Sequence, residues 1–255
     1  MKRNRLLFCV FIVSVLGFGL VWMIWHRKPY RITSYNIQKQ IEGKIVCVHF
    51  ENDSTGFILS SISSSDFEWP DSRYLHEKKY SLCVYKTRDN GKNWTKIFEQ
   101  NDVCVDYSMW SRNSLIDDST ITMCAGKKSP VFVGKFDSVM HYDFRSNTLS
   151  WEVLPLVTAK LNSPQQMWDI PADRILENFP EKYYVANMVI SDQLWAAEIV
   201  EDVLKEHLYY SANEGKNWIK VRKYFPGGVD GPMCVLNKKI YLISSRVLYV
   251  IDVRE

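Results

Sequence analysis

An eight-residue stretch that occurs twice constrains this chain more than any other feature. Thr87-Arg88-Asp89-Asn90-Gly91-Lys92-Asn93-Trp94 returns as Ser211-Ala212-Asn213-Glu214-Gly215-Lys216-Asn217-Trp218. A hydroxyl residue stands first, Asp or Asn third, Gly fifth and Trp eighth. Each copy follows an apolar run, 80–85 or 207–210, and leads into a second one, 94–98 or 218–221. These residue types suit a locked hairpin. An Asp or Asn carboxyl or amide oxygen accepts backbone N–H groups and holds a turn closed, and a hydroxyl adds a second local bond. Gly supplies a left-handed backbone position, and Trp folds back over the turn. Thr87, Asp89, Gly91, Trp94, Ser211, Asn213, Gly215 and Trp218 are therefore expected to be structural, with side chains occupied by the turn rather than by catalysis.

The octet resembles the Asp-box, or BNR repeat, of sialidase-like and sortilin-like β-propellers and related assembly factors. The resemblance implies an all-β propeller over residues 30–255, here non-enzymatic. The flanking sequence fits such a blade. Residues 45–53 run through a polar turn into Gly56-Phe57-Ile58-Leu59, and 60–77 reads as an insertion before the next strand. A decayed repeat, closer to a kelch-type strand, is expected at 140–148 leading to Trp151. The tail alternates at 239–243 and 247–251, like two further strands. Units recurring at roughly 50–65 residues with strands between them suggest radial blades, and the length suits about five irregular ones. The last blade lacks a strand after Glu255, and residues 30–37 are expected to supply it.

Two stretches depart from this pattern. Residues 154–180 read as an insertion holding a short helix at 171–179, with Pro171 in its first turn. Residues 193–208 place Leu194, Trp195, Ile199, Val203 and Leu208 at helical spacing. Strands are expected there nonetheless, because the second octet must be fed by a strand.

Ahead of the β-rich part lies a different signal. Residues 6–25 contain no charge and would span about 30 Å as a helix, the thickness of a bilayer's hydrocarbon core. The run is longer than a signal-peptide core and ends in bulky Val21-Trp22-Met23-Ile24-Trp25. Trp22 and Trp25 suit an aromatic belt. Residues 1–29 are thus expected to form a cytoplasmic tail and a single transmembrane anchor, with the folded domain periplasmic or extracellular. The formal charge of +3 includes Lys2, Arg3, Arg5, Arg27, Lys28 and Arg31 around this segment, and the remainder is near −3. That balance argues against a nucleic-acid surface.

Catalytic signatures are sparse. A sialidase binds its substrate carboxylate with three arginines and uses a Tyr–Glu pair and an acid Asp. The nearest matches to its first arginine motif are Arg31-Ile32-Thr33, without the proline, and Arg174-Ile175-Leu176. The histidines at 26, 49, 76, 141 and 207 have no ligand spacing, so no metal site and no cofactor are expected. His49 and His207 read as strand residues. Asp117-Asp118 belongs to a polar turn over 114–120 rather than to a calcium loop. Five cysteines follow the anchor, an odd number that leaves at least one unpaired, and the sequence does not choose a pair for any disulfide.

Nine Trp, fourteen Tyr and twelve Phe suit half-buried strands, and most are expected in blade cores and between blades. Phe67, Trp69, Tyr74, Trp110 and Trp168 fall in the insertions, where aromatics anchor protein interfaces or pin loops to the body. The reading is an exported, membrane-anchored binding propeller that recognises a protein partner, such as a toxin to be neutralised (an immunity protein) or a membrane complex under assembly. A sialidase-like glycan-binding or glycosidase module is the alternative.

Overall fold

The computed structural model describes residues 29–63, 79–104, 114–116, 120–124, 138–143, 146, 148–153, 184–202, 205–229 and 231–254. These residues are all-β, with sixteen strands and no helix among them. The first sheet is a meander of β2 (Lys44–Phe50), β3 (Gly56–Ser63), β4 (Lys79–Thr87) and β5 (Thr95–Cys104). The second is β6 (Ser114–Ile116), β7 (Thr120–Cys124), β8 (Ser138–Asp143) and β9 (Thr148–Val153). The third is β10 (Tyr184–Ile190), β11 (Trp195–Asp202), β12 (Lys205–Ser211) and the two-residue β13 (Ile219–Lys220). The fourth runs β14 (Met233–Leu236), β15 (Lys239–Ser244), β16 (Val247–Val253) and then β1 (Tyr30–Asn36).

That last neighbour joins the two ends of the described chain. β1 pairs antiparallel with β16 from Tyr30↔Val253 to Asn36↔Val247, so residues just past the apolar N-terminal run supply the strand that the C-terminal sheet lacks. The junction is tied at its start. Pro29 O accepts from Arg254 N at 2.8 Å and from the Tyr210 hydroxyl at 3.3 Å. The Tyr30 hydroxyl accepts from Arg222 N at 2.6 Å, and the Tyr30 ring meets that of Tyr210 edge-on at 6.2 Å.

The fourth sheet explains why its strands read as continuous apolar runs: it is covered on both faces, and alternate residues serve different cores. Ile240, Leu242, Tyr249, Ile251 and Val253 join Tyr30, Leu208, Tyr210 and Val221 in a core shared with the third sheet. Tyr241, Ile243, Leu248 and Val250 join Val48, Phe50, Ile58, Tyr85 and Trp94 in a core shared with the first. Phe50 stacks on Tyr241 with ring centroids 3.7 Å apart, across that second seam. The first and second sheets meet through Phe98 and Tyr142, stacked at 4.0 Å. The leading strands of the sheets are also neighbours: β14 lies against β2 and β10, and β2 lies against β6.

Several expectations are refined. Within 193–208, Trp195–Asp202 and the start of Lys205–Ser211 form strand, as the octet required, rather than helix. The 140–151 segment is the β8–β9 hairpin, whose turn uses Asp143 Oδ1 as acceptor for Ser146 N at 3.0 Å. The insertion read at 60–77 starts later, because β3 continues to Ser63 and pairs with Tyr80. Residues 114–120 are not one polar turn: Ser114–Ile116 and Thr120 are strand, paired Ile116↔Ile121. Hydroxyl-bearing residues such as Ser114 and Thr120 have the composition of a turn but stand here at strand ends. Four sheets stand among the described residues, against about five expected blades. The anchor at 6–25, the helix at 171–179, and Phe67, Trp69, Tyr74, Trp110 and Trp168 lie outside the described residues. No helix among the described residues is long and apolar enough to cross a membrane.

Candidate functional site

The two octets fold into the same turn. In the first, the Thr87 hydroxyl donates to Asp89 Oδ1 at 2.9 Å and accepts from Gly91 N at 3.1 Å. Asp89 Oδ1 accepts from Asn93 N at 2.9 Å, and Oδ2 accepts from Asn93 Nδ2 at 2.6 Å. In the second, the Ser211 hydroxyl donates to Asn213 Oδ1 at 2.9 Å and accepts from Gly215 N at 2.9 Å. Asn213 Oδ1 accepts from Asn217 N at 2.9 Å. The bonds from the Asn93 backbone and side chain to Asp89 hold its carboxyl below the usual carboxylate range. The third residue of each octet is therefore engaged by its own turn.

Glycine is required in the fifth place twice over. Gly91 and Gly215 have φ of +83° and +78°. A Cβ on Gly91 would sit 2.2 Å from Leu248 Cδ2 in the neighbouring sheet, and one on Gly215 would sit 2.7 Å from the Trp195 ring. The preceding residues, Asn90 and Glu214, are left-handed as well, with φ of +62° and +56°. Trp94 closes the first turn by donating Nε1 to Gly91 O at 2.9 Å, and its ring meets Phe50 edge-on at 6.1 Å. Trp218 is less buried and lies tilted against Trp195 at 6.5 Å.

Gln40 adds a clamp that the octet pattern does not announce. Its amide oxygen accepts from Trp94 N at 2.8 Å, and its amide nitrogen donates to Lys92 O at 3.0 Å. The segment after β1 thereby grips the first octet. Its only sequence signal is a polar residue between the buried Ile37 and Ile41.

A polar cluster lies on the third sheet, around Glu201. Glu201 Oε1 accepts from both the Tyr209 hydroxyl and Lys220 Nζ, and Oε2 lies 3.5 Å from His207 Nε2. The glutamate side chain is 15% exposed. Burial works against its charge, but the bonds from Lys220 and Tyr209 outweigh that and hold its carboxyl below the usual range. A Tyr–Glu pair is the form of a sialidase nucleophile, yet here Lys220 shares the oxygen that faces Tyr209, and Tyr209 is 9% exposed. The arrangement neutralises a charge on the outer part of a sheet. Sequence reading missed it because the four residues meet through the β11–β12–β13 register.

Of the other residues weighed, His49 lies in β2 and His207 in β12, as expected of strand residues. Arg31 is exposed on β1, opposite Asp252, and Arg174 lies outside the described residues. The loop from Gly227 to Pro232 connects the third sheet to the fourth. It is pinned by Ser244, whose Oγ accepts from Gly227 N at 3.2 Å and donates to Gly228 O at 2.8 Å. Cys47 and Cys234 are free thiols, and burial pushes both up to about 12. Among the described residues, no group of three or more His, Cys, Asp or Glu is arranged to hold a metal ion.

No family model matches this chain, and no curated protein matches it. Among solved structures, it is similar to puromycin hydrolase at 9% identity and a TM-score of 0.23, over 75% of this chain and 23% of that one. A mutant of the same enzyme complexed with PGG gives 8% identity and a TM-score of 0.24, over 76% and 24%. The chain thus spans about a quarter of the length of the enzyme it matches.

Proposed function

We propose that this chain is a membrane-anchored, exported propeller of the Asp-box type that binds a protein partner and is not an enzyme. The propeller reading is supported by four-stranded meanders whose leading strands are neighbours, and by a last sheet completed by the first strand. That pairing carries the reading, because it ties the start of the described chain into its last sheet. The Asp-box assignment rests on the shared hydrogen-bond pattern of the two octets. The anchor rests on residues 6–25, which carry no charge and end four residues before Pro29. The non-catalytic part of the reading is supported by what the described polar groups do. The octet side chains close turns, and Glu201 shares Oε1 between Tyr209 and Lys220, with Oε2 3.5 Å from His207. Within this reading, an immunity protein that neutralises a toxin and an assembly factor for a membrane complex are the two roles that suit a compact tethered domain.

The test is capture of partners by the full chain from native membranes, with mass spectrometry of stoichiometric binders and a fluorogenic sialoside assay on the same preparation. One stoichiometric protein and no turnover is the expected result, and the partner's identity separates immunity from assembly. Sialoside turnover that Glu201→Gln or Tyr209→Phe abolishes would replace this reading with the glycosidase one, for which the Tyr209–Glu201 hydrogen bond is a supporting contact among the described residues.

A further inference from the structure

Both large cores join two sheets, whereas a third, smaller one is confined to a single sheet. One face of the third sheet meets the fourth through Ala196, Leu208 and Tyr210. On its other face Met188, Ala197, Ile199 and Tyr209 form a separate cluster, with Val185, Ile190 and Trp218 packed against it. All of these residues belong to β10, β11 or β12, except Trp218, which directly precedes β13. Yet Ala197 and Ile199 are 0% exposed, and Met188 is 3% exposed. A sheet buries a face against a second layer, because side chains standing on one surface otherwise leave their tips to solvent. A second layer therefore lies on this face, and no described strand supplies it. β10 lies against β14, β14 against β2 and β2 against β6, but no strand of the third sheet comes comparably close to one of the first or second.

The chain has the material for that layer. Residues 154–183 lead from the end of β9 in the second sheet to the start of β10 in the third. They number thirty, against nine at 105–113, twelve at 221–232 and seven at 37–43, the other connections between sheets. A connection in a compact domain rarely exceeds about 12–15 residues unless it has a role of its own. Leu156, Leu161, Trp168, Ile170, Ile175 and Leu176 supply apolar surface within it. Both of its ends are fixed at the two sheets whose described strands do not meet.

From this we infer that residues 154–183 are the layer over Met188, Ala197 and Ile199, a wedge between the second and third sheets in the place that a fifth blade would take. Glu201 and His207 mark the polar rim of the covered face, His207 being paired with Ile199. Trp168 then packs within its own chain instead of anchoring a partner. The inference stands independently of the membrane anchor and of the protein partner proposed above.

The test is photo-cross-linking of the full chain in detergent with benzoylphenylalanine in place of Trp168, the links being mapped by mass spectrometry. Links to 185–200 or 207–210 of the same chain are the expected result. Links only to other parts of the chain or to another molecule, or no links, would overturn the inference. A second variant replaces 157–180 by a short Gly-Ser bridge. Its binding of an apolar dye should rise about threefold or more, while the amides of β1 and β16 keep their protection from exchange. Unchanged dye binding with an unchanged melting temperature would mean that another segment covers the face, and would also overturn the inference. Should the bridged chain unfold, the cross-link decides between the two.

Discussion

The two octets make the same turn from different materials. The first uses an ionised Asp89, which engages the Asn93 backbone and side chain through both oxygens; the second uses neutral Asn213 through one. The first places Asn90 at a left-handed position, the second Glu214. Asn tolerates that conformation because its short side chain bonds locally, whereas Glu bears the full steric penalty. The first is sealed by Trp94, 7% exposed, and clamped by Gln40; the second is covered by a half-buried Trp218. The comparison teaches that the backbone lock needs a hydroxyl, an oxygen acceptor and glycine. Charge and tertiary packing then decide how firmly each copy holds. In the fourth sheet the corresponding place between third and fourth strands has no turn at all, because Val253 and Tyr30 meet as two separate stretches of chain.

That third junction predicts the largest effect. Removing residues 29–36 should unfold the domain cooperatively, because it strips β1 from β16 and Tyr30 from the core it shares with Tyr210. Thermal melts by circular dichroism check this, and a trimmed chain that melts like the intact one would show that the octet turns alone carry the fold. Trp94→Ala should cost about 3–5 kcal/mol and Trp218→Ala about 1–3, following the difference in burial. Urea unfolding of both variants tests the ranking, and equal losses would erase the contrast between the copies. Gly91→Ala should cost about 2–4 kcal/mol, from the left-handed φ and the contact with Leu248.

Smaller effects separate charge from shape. Asp89→Asn should cost about 1 kcal/mol, by the loss of the charge-assisted bonds from Asn93. It should also flatten the acid limb of stability. The Asp89 carboxyl is held below its usual range in the fold, so its contribution is complete above the unfolded value of about 3.9. It is lost as pH falls through the folded value. Glu201 has the same sign, so Glu201→Gln serves as the parallel control for acid unfolding. Asn213→Asp should give the second octet the acid sensitivity of the first. Glu214→Asn should stabilise by about 0.5–1 kcal/mol, because the left-handed penalty falls while the turn's bonds are retained. A neutral or harmful result would mean that the Glu214 side chain has a role beyond the turn.

Legibility followed sequence distance. The hairpins at 45–59, 239–251 and around both octets were readable, since strand alternation and turn chemistry act within ten or so residues. The octet's neighbours were not. The clamp from Gln40 lies 54 residues from Trp94, and Leu248, which enforces glycine at position 91, comes from another sheet. Glu201 looked like any strand-end carboxylate until the β11–β12–β13 register set it against Tyr209 and Lys220.

By itself the sequence determined the turns and the all-β character, because both follow from local dihedral preference, local hydrogen bonding and apolar periodicity. Tertiary structure alone decided the partners: which core each face of β15 and β16 enters, and where Glu201 finds its counter-charge. Those outcomes depend on register and packing between segments far apart in the chain. A one-residue slip there would turn every side chain to the opposite face.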